Sequence, residues 1–314
     1  MTRRQLFFTR AGAVRPLWRV VIFILASILC ISLSAAIVKP IVVQFFDLAG
    51  LHGQSSDEWV LCGGLLGATA FMLRVIDKRP WSYVWLGRDA AEPKRLSIGF
   101  AVGALAIGLP TALLIAVHWL RDSGATPGTW WGAALRVSLV LLPAAMLEEL
   151  TTRGYLLAVL RERFGWTWAV VATSVGFGML HLSNNGANVE SVGLVTFAGF
   201  FLAAVVYATR SLYAAWMAHF AWNWTMAVLF HTAVSGYPFE SPRYRYVDAG
   251  PDWATGGSWG PEGGIPAGLG MIGGMAFLLV GGTRRRDEED SGPASGDHIA
   301  HHSNDTPLDS PTET

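Results

Sequence analysis

The chain has 314 residues, and its 23 Lys plus Arg balance 23 Asp plus Glu, so it carries no formal net charge. Hydrophobic residues make up 52% of it and charged residues 15%, and the mean hydropathy is +0.38. Soluble domains carry about 25% charged residues. This balance excludes a disordered chain, a disulfide-stapled scaffold and a basic nucleic-acid binder, and it points to a polytopic membrane protein. Cys30 and Cys62 lie in apolar runs without a CxxC pair and read as packed thiols.

A helix needs about 20 mostly apolar residues to cross the hydrocarbon core. Eight segments are candidates: 20–38, 59–76, 96–119, 132–160, 168–182, 192–209, 213–231 and 265–282. The fourth is too long for one straight span and the fifth is short. Basic residues mark the cytoplasmic side of such a chain. Arg3, Arg4, Arg10, Arg15 and Arg19 precede the first span, Lys78, Arg79, Arg88, Lys94 and Arg95 follow the second, and Arg161 and Arg163 follow the fourth. Arg210 follows the sixth, and Arg284, Arg285 and Arg286 follow the eighth. An even number of spans with both termini cytoplasmic satisfies that alternation. The expected fold class is therefore all-α, a polytopic membrane helix bundle of about eight transmembrane helices. Trp18, Trp59, Trp119, Trp130, Trp131, Trp166 and Trp168 near span ends read as an aromatic belt.

Segment 232–264, rich in Gly, Pro, Tyr and Trp, is long for a connection, and a loose external loop is expected there rather than a lid. Residues 283–314 turn acidic and then Ser/Pro/His-rich, as expected of a disordered cytoplasmic tail. His298, His301 and His302 in it are solvated side chains on this reading. The division that follows is 1–129 for N-terminal spans and loops, 130–231 for a catalytic core, 232–282 for the external loop and last span, and 283–314 for the tail.

Ionisable groups inside a bilayer cost about 2.5–3.5 kcal/mol each, so those present pair, line a cavity or do chemistry. Three clusters need such an account. Glu148 and Glu149 are adjacent and point about 100° apart on a helix. Glu149 and Arg153 are four apart and can pair, which leaves Glu148 free to face another helix. Phe177 lies one turn before His181 and can buttress its imidazole. His219 and Asn223 are four apart and share a face of the seventh span. His118 and His231, at span ends, read as interfacial. Each cluster alone has a bland structural explanation. Together they make a general-base and oxyanion-stabilising set suited to peptide-bond hydrolysis by activated water. Two His and a carboxylate equally suit zinc, through Glu148, His181 and His219. HExxH and GxGD motifs are both absent.

At these residues the chain resembles the CAAX protease and bacteriocin-processing (CPBP, or Abi) family, whose signature is EExxxR, FxxxH and HxxxN in that order. Here these are Glu148-Glu149-x-x-x-Arg153, Phe177-x-x-x-His181 and His219-x-x-x-Asn223. The resemblance covers roughly residues 130–231. It implies an intramembrane endopeptidase in which Glu148 activates water, His181 assists it, and His219 and Asn223 stabilise the oxyanion or contribute to a metal site. Glu149, Arg153 and Phe177 would support them. The family is described both as metalloproteases and as glutamate-type proteases, so one zinc ion is implied in the first case and none in the second. The implied partners are the lipid bilayer and a peptide or protein substrate, lipidated or not, with no nucleic acid; the implied location is the plasma membrane. Two other readings compete: a non-catalytic scaffold or bacteriocin-immunity protein on the same fold, and a transporter using Glu148 as a proton site.

Counting 1.5 Å per residue from the cytoplasmic span ends sets His181 about 10 Å deeper than Glu148 and His219. Stretch 154–166 is therefore expected to be a broken helix entering the bilayer, with Gly154 and Gly165 as the breaks.

Overall fold

The computed structural model describes residues 6–9, 12–51, 56–124 and 127–290, with side chains as far as Gly281. It is 76% helical with eight principal helices, the architecture of a polytopic membrane bundle. They are α1 (Pro16–Leu48), α2 (Asp57–Phe71), α3 (Pro93–Ala116), α4 (Trp130–Glu149), α5 (Tyr155–Leu180), α6 (Val189–Thr209), α7 (Leu212–Trp224) and α8 (Ile265–Asp290). Helix α8 thus runs eight residues into the stretch expected to be a disordered tail. His298, His301 and His302 lie outside the described residues. Five helical segments are long and apolar enough to cross a membrane, counting α4 and α5 as one, and α8 supplies a shorter apolar helix. Lipid-type surface is evident on α1, where Leu25, Ile28, Ile37 and Ile41 are all exposed.

Helix α7 is the centre of the bundle, packed by α3, α4 and α6. Its Ala214, Ala215, Ala218 and Ala221 are fully buried, because small side chains let backbones approach closely. The approach to α3 is the tightest. A Cβ on Gly99 would stand 2.0 Å from the Ala214 carbonyl oxygen, and one on Gly103 2.0 Å from that of Ala218. The start of α7 lies beneath the segment joining α2 to α3. Ser211 caps the helix by accepting the Ala214 N–H, its hydroxyl donates to the Ala90 carbonyl, and the Leu212 N–H donates to Trp85 O.

Gly154 (φ −80°, ψ −120°) and Gly165 (φ 78°, ψ 174°) both leave helical geometry, as expected. Between them Tyr155, Leu157, Ala158 and Val159 are fully buried against protein. Leu150–Gly154 is a π-helical turn, and similar turns extend α2 and α7. Because the chain reverses at Gly165, Glu148 stands 17 residues before the turn and His181 16 after it. The two therefore reach similar depth. His219 on α7 lies at the same level, its Nε2 3.7 Å from Glu148 Oε2.

Segment 232–264 corrects the expectation of a loose loop. It holds strand β2 (Tyr246–Asp248), which pairs antiparallel with β1 (Leu120–Asp122), and short helical turns at Asp252–Thr255, Gly257–Trp259 and Pro261–Gly263. Trp259 and Ala254 are fully buried. The segment folds as a cap over one end of the bundle. His231, expected at an interface, is buried beneath it, its ring 4.5 Å from that of Tyr244. His118 is exposed. Two members of the expected aromatic belt pin helices together: Trp130 Nε1–H donates to Val228 O, and Trp59 Nε1–H to Leu139 O.

Candidate active site

All seven residues singled out in the sequence come together where α4, α5 and α7 meet. The end of α4 carries Glu148 and Glu149, its π-turn carries Arg153, the end of α5 carries Phe177 and His181, and α7 carries His219 and Asn223.

Glu149 and Arg153 are both fully buried, and Arg153 Nη1 lies 3.2 Å from Glu149 Oε1. The same oxygen accepts a hydrogen bond from His219 Nδ1 at 2.9 Å. Arg153 also donates to Thr152 Oγ1 and stacks over the Phe177 ring, 4.1 Å from its centroid. The other side of this assembly is aromatic. The Phe177 ring meets His181 at 4.8 Å and His219 at 5.9 Å, both edge-on. One buried ion pair therefore fixes one imidazole directly and braces both through Phe177.

The hydrogen bonds settle which nitrogen of each imidazole carries the proton. His181 Nδ1 lies 2.9 Å from the Phe177 carbonyl oxygen, which can only accept, so Nδ1 is the donor. His219 Nδ1 likewise donates to a carboxylate. In the neutral rings both Nε2 atoms carry lone pairs, and both face Glu148 Oε2 at 3.7 Å. That is too long for a direct hydrogen bond. Glu148 Oε2 is buried without a hydrogen-bond partner, while the rest of its side chain is about one-third exposed. Three acceptors surrounding a gap require a donor or a cation between them, and a water molecule supplies two hydrogens. Zinc would suit the donor chemistry too. Among the described residues, however, no group of three or more His, Cys, Asp or Glu side chains converges closely enough to hold a metal.

Behind the histidines lies a cavity of about 30 Å³, lined by His181, His219, Asn223, Trp222, Ser235 and Glu262 among others. One water needs about 10–15 Å³ measured in this way, so the cavity has room for about two. Asn223 makes no side-chain hydrogen bond among the described residues, and its amide is free to serve a ligand. Glu262 was missed in the sequence. It is one acid of a Gly/Pro-rich loop, where no periodicity reports which way a side chain faces. On the side of α2 a larger apolar chamber of about 650 Å³ is lined by Trp59, Trp81, Pro143, Met146, Tyr213 and Trp216.

Residues 128–225 match the family model described as type II CAAX prenyl endopeptidase Rce1-like. Over this stretch the chain is similar to the CPBP family. The match takes in all seven motif residues and excludes Glu262 and the cap. No curated protein and no solved structure matches the chain significantly.

Proposed function

We propose that the protein is an intramembrane endopeptidase of the CAAX type, which hydrolyses a peptide bond with water activated by Glu148. The observation that carries this reading is the partnerless Glu148 Oε2 facing two imidazole Nε2 atoms at 3.7 Å across a water-sized gap. Glu148 takes a proton from water as the water oxygen attacks the scissile carbonyl carbon. The oxyanion then accepts a hydrogen bond from the Asn223 amide, while His219 Nε2 accepts one from the O–H that the attacking water retains. His181 relays the proton from Glu148 to the departing amine nitrogen as the C–N bond breaks. Glu149 holds His219 in register through Nδ1. The substrate reading is a membrane-associated or lipidated peptide. It is supported by the apolar chamber, whose Met146 and Trp216 lie within a turn of Glu148 and His219 along their helices.

The test is cleavage of an internally quenched peptide carrying an S-farnesyl cysteine, beside its unlipidated twin, by purified protein in detergent. Glu148→Gln keeps the shape but cannot accept the proton, and turnover is expected to fall about a thousandfold. Activity that persists in Glu148→Gln would sink the reading. Loss of activity on chelation, with recovery on added zinc, would replace the carboxylate mechanism by a metal one.

A further inference from the structure

A buried carboxylate of the cap reaches the site. Glu262 is buried, its Oε1 accepts the backbone N–H of Ser235 at 2.6 Å and the Ser235 hydroxyl at 2.7 Å, and its Oε2 accepts the Trp222 indole N–H at 2.9 Å. These three donors come from two separate parts of the molecule. Ser235 belongs to the cap, and Trp222 is the α7 residue next to Asn223.

The Ser235 corner is held on every side. Its φ is 47°, a left-handed conformation that a serine keeps only when its surroundings impose it. Asn184, three residues past His181, donates its side-chain amide to Ser235 O, and the Gly236 N–H donates to Trp259 O. Gly236 passes so close to Asn185 that a Cβ there would stand 1.9 Å from the Asn185 carbonyl oxygen. Glu262 therefore ties the corner that roofs the water-sized cavity to the helix that supplies His219 and Asn223.

We propose that Glu262 is a positioning residue of the hydrolytic site: one oxygen closes the Ser235 corner within the cap, and the other ties the cap to the Trp222 turn of α7 and with it fixes the direction of the Asn223 amide. The positioning role rests on the hydrolytic reading above; the cap-closing role does not. Both oxygens are committed to donors in the protein, so Glu262 acts through Trp222 and Ser235 rather than on the substrate.

The two roles separate by mutation. In Glu262→Gln the amide oxygen can keep both Ser235 donors, but the amide nitrogen then opposes the indole N–H. The expected result is a cap that resists trypsin at the exposed Arg243 and Arg245 as wild type does, with kcat on the quenched farnesyl peptide down about tenfold, the scale of one charge-assisted hydrogen bond, and KM within about twofold. Trp222→Phe leaves the Ser235 bonds alone and should give the same loss, and the double variant should lose no more than either single one. Glu262→Ala should speed trypsin cleavage at Arg243 and Arg245 about tenfold or more. Additive losses in the double variant, or an unchanged kcat in Glu262→Gln, would overturn the positioning role. Because the trypsin assay needs no turnover, an inactive wild type whose Glu262→Ala cap is cut faster would overturn the hydrolytic reading and keep the cap closure. An active wild type with Glu262→Ala unchanged in both measurements would overturn the proposal alone.

Discussion

Arg153 has no solvent contact, so its charge is balanced only by neighbours. Glu149 lies one helical turn back, which was legible from the four-residue spacing. That the same Glu149 oxygen also holds His219, 70 residues later, was not legible, because spacing along one helix says nothing about a second. Removing one partner of a buried pair leaves an uncompensated charge and costs about 3–5 kcal/mol. Arg153→Leu is therefore expected to lower the thermal midpoint in detergent sharply. Glu149→Leu combined with Arg153→Leu should recover much of that stability without recovering hydrolysis, since His219 still lacks its acceptor. Thermal denaturation of the single and double variants checks both halves. Phe177 was expected to buttress His181, and its ring does touch the imidazole. Its carbonyl does as much, because that oxygen fixes the proton on Nδ1 and leaves Nε2 facing Glu148.

At the scale of helices, the position of His219 depends on how closely α3 approaches α7. Gly99 and Gly103 are four apart and share a face, and each meets a carbonyl oxygen of α7 where a side chain would sit. Gly103 abuts Ala218, the residue before His219. Gly103→Ala forces the helices apart, and overpacking of this kind costs about 1–3 kcal/mol; stability and hydrolysis should fall together. Gly176→Ala on α5 is the control, since a Cβ there meets nothing within 4 Å, and its melting should be unchanged or slightly raised. Melting curves of the two variants, with turnover measured beside them, test this. The existence of these helices was readable from the apolar runs, and the breaks at Gly154 and Gly165 from the depth mismatch they resolve. The pairing of small residues on α3 with carbonyls on α7 was not readable, because a glycine in an apolar run does not name its partner.

Across the whole molecule, a polar hub centred on Arg19 holds the frame of the site. Arg19 of α1 donates to Asp77, Tyr83, Tyr155 and Glu162, Tyr155 donates to Asp77, and Tyr83 donates to Glu162. Tyr155 follows the Gly154 break directly, so the hub anchors the far side of the turn that bears Arg153. Arg19 was read in the sequence only as a marker of the cytoplasmic side, and here it is also buried and fully engaged. Burial, and next the Glu162 carboxylate beside it, push the Tyr83 phenol up to about 12. An unfolded tyrosine loses its proton near pH 10, so the stability contributed by neutral Tyr83 is complete below about pH 10 and is lost as the pH rises towards 12. Tyr83→Phe should be less stable at neutral pH but should lack that part of the alkaline decline. Denaturation midpoints of both proteins at a series of pH values between 8 and 12 decide this.

The residue order by itself determined the class of protein, the helices and the identity of the seven motif residues. The physical reason is that a bilayer penalises every unpaired polar group, so apolar length and misplaced charge are written locally in the chain. Only the tertiary structure decided the tautomers of His181 and His219, the common depth of three helices that begin at different levels, and the burial of Glu262 in a cap that resembled a loose loop. Each of these depends on which distant atom fills a hydrogen bond or a gap, and no local pattern encodes that.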